Sequence, residues 1–354
     1  MKKFLSTTAL AVALVAPTAA WAELRAVASF SILGDIVAQV GGDLVEVTTI
    51  VGADQDAHVY IPNVSDARAV AAADLVFLNG LGFETWAADL VAGSGTAASI
   101  VSVAESLPLE IHSKEEEGHD DHDDHAGHDD HDEHKDHDDH SGHDDHDEHK
   151  DHDDHSDHDD HDDHGEEEMD AHAHHDHGEE DPHAWGAMIN AIAYADAVRD
   201  AFSAADPANA AAYEANFAAF EAEGLALRDA FLARIAALPA DGTVITSHDA
   251  FGYLAEETGL TFLAPLGLNS AAAASASEVR ELIQQLKSLP NAALFVENIT
   301  NSALIEQIGV ETSITVNTTP LYSDALSGAE GPAATYLDYY RHNLETILAA
   351  LEAN

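Results

Sequence analysis

The fold class follows from residues 24–51, whose sequence is LRAVASFSILGDIVAQVGGDLVEVTTIV. An apolar run at 24–29 and a β-branched run at 45–51 predict two strands, and residues 32–40 predict a helix that ends at Gly41-Gly42. Since strands joined through a helix generally run parallel, this order favours a parallel sheet covered by helices.

The same alternation continues along the chain. Further strands are predicted at 74–78, 100–103, 243–246, 261–266, 293–296 and 314–316. Helices are predicted at 65–73, with Ser65 as the cap, and at 250–257, 278–289, 302–308 and 332–351. Residues 208–238, rich in Ala, Glu and Leu, predict one helix of about 45 Å between the two sets. We therefore expect an α/β fold of two lobes, each with a parallel sheet flanked by helices, joined by this helix.

Composition limits the possible functions. The 354 residues include 67 acidic and 13 basic side chains, 25 histidines and no cysteine, for a net charge of −54. Such a chain cannot neutralise the phosphates of nucleic acid, and it is repelled by an anionic membrane surface. Without thiolates there is no disulfide, and any metal must be held by nitrogen and oxygen atoms.

The amino terminus has the three parts of a secretory signal peptide. Lys2-Lys3 precede an apolar run at 4–16, and Ala20-Trp21-Ala22 is a small-x-small cleavage site before Glu23. The alternative, a membrane anchor, needs about 20 apolar residues, and this run is shorter. We expect a cleaved, soluble, monomeric protein in a bacterial periplasm.

Residues 112–181 differ in kind from the rest of the chain. They contain 34 acidic residues, 21 histidines and 3 lysines, with almost no apolar side chain. We predict that this segment is disordered and that it binds zinc weakly as an auxiliary site. A solvated acidic loop without a role in transport is the alternative. The auxiliary ligands would be His119, His122, His125, His128, His131, His134, His137, His140, His143, His146, His149, His152, His155, His158, His161, His164, His172, His174, His175 and His177.

The predicted domains follow from these segments. They are a signal peptide at 1–22, an N-terminal lobe at 23–207 interrupted by the loop at 112–181, a linking helix at 208–238 and a C-terminal lobe at 239–354.

Four histidines lie outside this loop. His58, His183 and His248 each follow a predicted strand or start a predicted helix, and this edge of an open α/β sheet is where ligands bind. A single histidine there is more often a hydrogen-bonded structural residue, but three at equivalent places favour a shared site. His342 lies inside the last predicted helix and is interpreted as structural. Three imidazoles suit zinc, and Asp324, after the last predicted strand, is the candidate fourth ligand, with helix capping as its alternative.

Five motifs carry a resemblance to a known family. The chain resembles the metal-binding solute-binding proteins of bacterial ABC importers, in the cluster that carries zinc and manganese. The matching segments are GAD at 52–54 with HVY at 58–60, NGLGFETW at 79–86, DPHAW at 181–185, SHDAFGY at 247–253 and LYSDAL at 321–326.

This resemblance implies two α/β lobes joined by one rigid helix, with a metal between them bound by His58, His183, His248 and Asp324. Manganese members carry glutamate at the third position, so that His248 favours zinc, and a His-rich insertion is typical of the zinc branch. We expect high-affinity zinc capture and delivery to a permease driven by an ATPase, with a periplasmic metallochaperone as a further candidate partner. Affinity should fall below about pH 6, because the imidazoles must be neutral.

Two other functions remain open. One is a periplasmic zinc buffer or metallochaperone without a transporter, which the His-rich loop alone would support. The other is a zinc hydrolase that uses three histidines and a bound water. A closed four-ligand shell argues against the hydrolase, and the sequence contains no HExxH motif.

Overall fold

The computed structural model describes residues 24–105, 180–238, 242–270, 274–289 and 291–353. The predicted signal peptide and the auxiliary histidines of the acidic loop lie outside these residues. No helix within the described ranges has the length and apolar character needed to cross a membrane.

The N-terminal lobe is built on a parallel four-stranded sheet in the order β2-β1-β3-β4. The first strand is buried along most of its length, as expected of a strand inside a parallel sheet. The elements of this lobe are β1 (Leu24–Phe30), α1 (Ser31–Gly41), β2 (Val45–Val51), α2 (Val64–Ala72), β3 (Leu75–Leu78), α3 (Ala87–Ser94), β4 (Ser99–Ser102) and α4 (Met188–Ala205).

The C-terminal lobe repeats this arrangement with a second parallel sheet, in the order β6-β5-β7-β8. In each lobe the carboxyl ends of the parallel strands therefore lie at one edge of the sheet, and the loops that follow the strands begin there. Its elements are β5 (Thr243–Ile245), α6 (Gly252–Thr258), β6 (Thr261–Leu263), α7 (Ala276–Leu286), β7 (Ala292–Glu297), α8 (Ala303–Thr312), β8 (Val316–Leu321) and α9 (Tyr336–Ala353).

A helix of 26 residues, α5 (Ala210–Ile235), lies between the lobes in sequence. At 1.5 Å per residue it extends about 39 Å. Its buried face carries aromatic side chains at helical spacing, including Phe217, Phe220 and Phe231. The main hydrophobic core also includes Val27 of the first sheet and Phe295 of the second, so apolar packing is continuous between the lobes.

Several predicted element boundaries were wrong because side-chain caps decide where helices begin. Asn63, not Ser65, caps α2: its side chain accepts a hydrogen bond from the Ser65 N–H, and Asp66 completes the capping box. The last helix begins at Tyr336 rather than 332, since the Thr335 hydroxyl accepts from the Asp338 N–H.

Other helices and strands also differ from their predicted bounds. Ser275 caps α7, which therefore starts at Ala276 rather than at 278, and the helix ends at Leu286 rather than at 289. β8 begins at Val316, where the strand predicted at 314–316 ends, and it runs to Leu321, whereas the strand predicted at 261–266 stops at Leu263. Helix α3 was not assigned from the sequence, and the helix start predicted at His183 is a 3-10 turn, so that α4 begins only at Met188.

Candidate metal centre

The structure brings together His58, His183, His248 and Asp324, the four side chains named from the sequence. One ligand atom from each lies within 4.8 Å of those from the others. Asp324 Oδ2 is 3.2 Å from the Nε2 atoms of both His58 and His248, and Asp324 Oδ1 is 3.6 Å from His183 Nε2. Three imidazoles and one carboxylate therefore face a common point.

The ends of the strands explain this convergence. His58 lies in the loop after β2, His248 follows β5, and Asp324 follows β8. His183 precedes a short 3-10 turn, Ala184–Gly186, that leads into α4. Because all strands in each sheet are parallel, the loops that follow them open on one edge, and the two edges face each other here.

The facing atoms are buried but have no hydrogen-bond partner. The Nε2 atoms of the three histidines and both carboxylate oxygens of Asp324 lack one among the described residues. The side chains of His183, His248 and Asp324 are fully buried, and that of His58 is 6% exposed. Leaving a buried polar group unpaired costs about 1–3 kcal/mol, and a cation coordinated at this point would satisfy all five atoms at once.

Charge coupling follows from the same geometry. Burial alone would lower the pKa of His248, but the carboxylates of Glu297 and Asp324 outweigh it and raise this pKa well above its ordinary value. Burial alone would raise the pKa of Asp324, but His248 and His183 lower it. A carboxylate that stays ionised while buried is a suitable ligand for a divalent cation.

Two further carboxylates hold the ligand histidines from behind. Asp181 Oδ1 lies 2.7 Å from His183 Nδ1, and Glu297 Oε2 lies 2.7 Å from His248 Nδ1. Glu297 also accepts the backbone N–H groups of Ser247 and His248, at 2.5 and 3.0 Å. A carboxylate on Nδ1 places the proton there and leaves Nε2 free to bind metal.

Neither of these carboxylates was identified from the sequence as part of the site. Asp181 was assigned to the end of the loop predicted to be disordered, but hydrogen bonds to the His183 N–H and ring fix its position here, and Glu297 lies one residue beyond the predicted strand at 293–296. For Glu297 the available signal was an acidic residue at the carboxyl end of a parallel strand, on the same edge as the predicted ligands.

Residues 79–86, here called the clamp loop, fix the backbone beside two ligands. Trp86 Nε1 donates to the Ala57 carbonyl at 2.8 Å, next to His58, and Asn79 Nδ2 donates to the Pro182 carbonyl at 2.9 Å, next to His183. Phe83 packs its ring edge-on against His58, with centroids 4.7 Å apart.

A buried carboxylate holds the clamp loop itself. Glu84 accepts hydrogen bonds from the Ser29 hydroxyl and from the backbone N–H groups of Asn79, at 2.8 Å, and Gly80, at 3.2 Å. Burial raises the pKa of Glu84 above its ordinary value. The loop is thus anchored independently of the ligands that it positions.

His342 lies outside the cluster. Its Nε2 is 2.9 Å from the Pro320 carbonyl oxygen, and its ring packs against Tyr322. These contacts tie α9 to the end of β8.

Residues 26–350 match the model of a family described as zinc-uptake complex component A, periplasmic (ZnuA). Among curated relatives, the manganese-binding lipoprotein MntA of Halalkalibacterium halodurans is 26% identical over 330 residues, which is 93% of this chain and 88% of that protein. The iron-binding protein YfeA of Yersinia pestis is 24% identical over 326 residues, or 92% and 85% of the two chains.

Solved structures share the architecture. The manganese-bound periplasmic metal-binding protein of Candidatus Liberibacter asiaticus has a TM-score of 0.69 at 27% identity, over 93% of this chain and 99% of that one. The periplasmic zinc-binding protein TroA of Treponema pallidum has a TM-score of 0.71 at 21% identity over the same shares, a likeness of fold alone. The predicted fold of two lobes with parallel sheets is confirmed.

Proposed function

The chain belongs to the family of periplasmic zinc-uptake components, and from this premise we propose that it captures zinc in the periplasm with high affinity and delivers it to an ABC-type permease. It is a metal-binding, substrate-binding component of an ABC metal importer. Zinc is its cargo, and His58, His183, His248 and Asp324 are the proposed ligands.

The observation that carries the choice of zinc is the donor set. Three imidazole nitrogens and one carboxylate match the four-coordinate sites that Zn²⁺ prefers, whereas Mn²⁺ prefers carboxylate, carbonyl and water oxygens. Relatives are named for manganese, iron and zinc. The side chains of this chain itself, above all His248, therefore support zinc as its metal.

The same donor set supports a binding role rather than catalysis. A catalytic zinc keeps one position open for water, while four protein ligands close the shell. The family consists of transport-associated binding proteins.

We propose a cleavable signal peptide, and a permease with its ATPase as partners. A periplasmic metallochaperone is a further proposed partner. The protein acts as a monomer. Residues 112–181 serve as an auxiliary segment that binds zinc more weakly than the four proposed ligands.

Metal content tests the choice of zinc. Protein lacking residues 112–177 is purified without added metal from cells supplied equally with zinc and manganese. We expect about one zinc per chain, bound by nitrogen-rich four-coordinate ligation in X-ray absorption. A predominance of manganese would overturn the assignment.

A substitution tests the donor argument separately, because most nitrogen and oxygen sites bind Zn²⁺ more tightly than Mn²⁺ in any case. His248→Glu exchanges a nitrogen for an oxygen donor and should lower the zinc-to-manganese affinity ratio by about tenfold or more. His342→Gln, outside the cluster, should leave the ratio unchanged. Equal ratios in all three proteins would contradict the role of His248.

A further inference from the structure

The loop at 52–63, here called the His58 loop, carries the ligand nearest to solvent. His58 retains 6% side-chain exposure, while the side chains of His183, His248 and Asp324 retain none. His58 is therefore the one ligand side chain of the four that touches solvent. What holds this loop in place will govern how long the ion stays.

Asp54 joins the His58 loop to the opposite lobe by three hydrogen bonds. Its N–H donates to the Leu326 carbonyl at 2.9 Å. Its Oδ1 accepts from Asn298 Nδ2 and its Oδ2 accepts from the Gly328 N–H, both at 3.2 Å. All three partners belong to the C-terminal lobe.

These partners stand beside the metal centre. Leu326 lies two residues after Asp324, and Asn298 directly follows Glu297, the carboxylate behind His248. Asp54 thus connects the segment that carries His58 to both segments that set the C-terminal side of the centre. None of the proposed metal ligands takes part in these bonds.

The backbone at Asp54 shows that the contact is specific. Its φ is 55°, in the left-handed region that non-glycine residues enter at a cost. Such a conformation persists when surrounding contacts determine it. Since Asp54 is exposed to solvent, water competes for its hydrogen bonds, and the connection can open and close.

A second contact lies two residues further along. Asp56 Oδ1 accepts the His58 N–H at 2.8 Å, and Asp56 Oδ2 accepts from the Ser270 hydroxyl of the C-terminal lobe at 2.6 Å. The backbone of the ligand histidine is therefore tied through Asp56 to the same lobe that Asp54 contacts.

We propose that Asp54 is a positioning residue that latches the His58 loop to the C-terminal lobe and sets the rate at which bound metal is released. When its bonds to Asn298 and Gly328 break, the loop can carry His58 away from Asp324 and open the path past it. This inference rests on the proposed function, since it concerns metal bound at that centre.

Asp54→Gly is the main test. Glycine accepts the positive φ without strain and removes both side-chain bonds, while the backbone bond to Leu326 can remain. Asp54→Asn also tolerates this φ and keeps Oδ1 as an acceptor for Asn298. The control is Asp89→Asn, which removes one exposed charge from α3.

The measurement uses the full chain loaded with one equivalent of zinc and mixed rapidly with an excess of a colorimetric chelator. We expect release from Asp54→Gly to be about tenfold faster than from the wild type, release from Asp54→Asn to be intermediate, and the control to be unchanged. Urea unfolding of the metal-free proteins shows whether a lost fold, rather than a lost latch, explains any difference.

A double substitution checks that the two partners act as one unit. Asn298→Ala should also speed release, and combining it with Asp54→Gly should add less than the sum of the two single effects. The inference would be overturned if both Asp54 variants released zinc at the wild-type rate. It would also be overturned if Asp54→Asn and Asp54→Gly accelerated release equally, because that result would indicate a simple charge effect. Failure of the wild-type protein to retain any zinc would instead overturn the proposed function.

Discussion

At the residue scale, the ligand histidines are held unequally. His183 and His248 each have a carboxylate on Nδ1, from Asp181 and Glu297. His58 is held instead through its backbone N–H and by the ring of Phe83. The two fully buried imidazoles are thus oriented by charge, and the partly exposed one by its loop. We expect His58 to be the ligand that moves first.

Glu297→Gln should weaken zinc binding by about 10- to 100-fold, the usual effect of losing the carboxylate behind a ligand histidine. The amide can still accept from the N–H groups of Ser247 and His248, but it no longer places a negative charge beside His248 Nδ1. Chelator competition measures the affinity. Glu306→Gln, on the exposed side of α8, is the control and should have no effect. An unchanged affinity in Glu297→Gln would contradict the orienting role.

At the element scale, the clamp loop shows how a segment without ligands can organise a site. It fixes carbonyl groups that precede His58 and His183 in the chain, while Glu84 anchors it from within. The strands bring the ligands to one edge, and the clamp loop fixes the backbone next to His58 and His183. Metal affinity is therefore expected to depend on residues that never touch the ion.

Trp86→Phe tests this dependence. Phenylalanine keeps an aromatic ring near Tyr60 but cannot donate to the Ala57 carbonyl. We expect a loss of about 0.5–1.5 kcal/mol in the free energy of unfolding and a zinc affinity weaker by about three- to tenfold. The control is Ser94→Ala, which removes two hydrogen bonds in the same lobe, one donated to the Val91 carbonyl and one accepted from the Thr96 N–H. It should reduce stability without changing affinity. Equal affinities in the two variants would argue against a positioning role for Trp86.

At the scale of the whole molecule, the two lobes are joined by more than α5. Glu257 of α6 accepts the Met188 N–H at the start of α4, the Arg228 guanidinium of α5 and the Tyr340 hydroxyl of α9. Its side chain is only 3% exposed. With the core continuous between the sheets as well, we expect metal binding to move the ligand loops more than the lobes.

Zinc should stabilise the fold by mass action. A free zinc concentration about 100 times the dissociation constant adds about 2.7 kcal/mol to the free energy of unfolding. Removing residues 112–177 should preserve this gain, because all four proposed ligands lie outside them. The number of zinc ions bound should fall towards one. Thermal unfolding with zinc or with chelator, together with zinc stoichiometry, measures both effects.

Loss of the stabilisation on deletion would contradict the location of the tight site. Unchanged cellular uptake of scarce zinc would contradict a capture role for the deleted segment.

The fold class and the four side chains of the centre could be identified from local sequence patterns and motifs. Strand–helix alternation is a local pattern, and continuous apolar runs such as LVFL at Leu75–Leu78 report burial on both faces of a parallel sheet. His58, His183 and His248 were recognisable because strand ends share an edge and imidazole is scarce outside the acidic loop.

Packing of the whole chain determines where helices begin, which carboxylates contact the Nδ1 atoms of the histidines and which contacts hold the His58 loop. Asp54 and Asn298 are 244 positions apart in the chain, and their bond exists only because the two lobes meet there. Periodicity in a sequence reports which residues are buried. A hydrogen bond between distant segments depends on the distance and angle of two atoms, which packing of the whole chain alone sets.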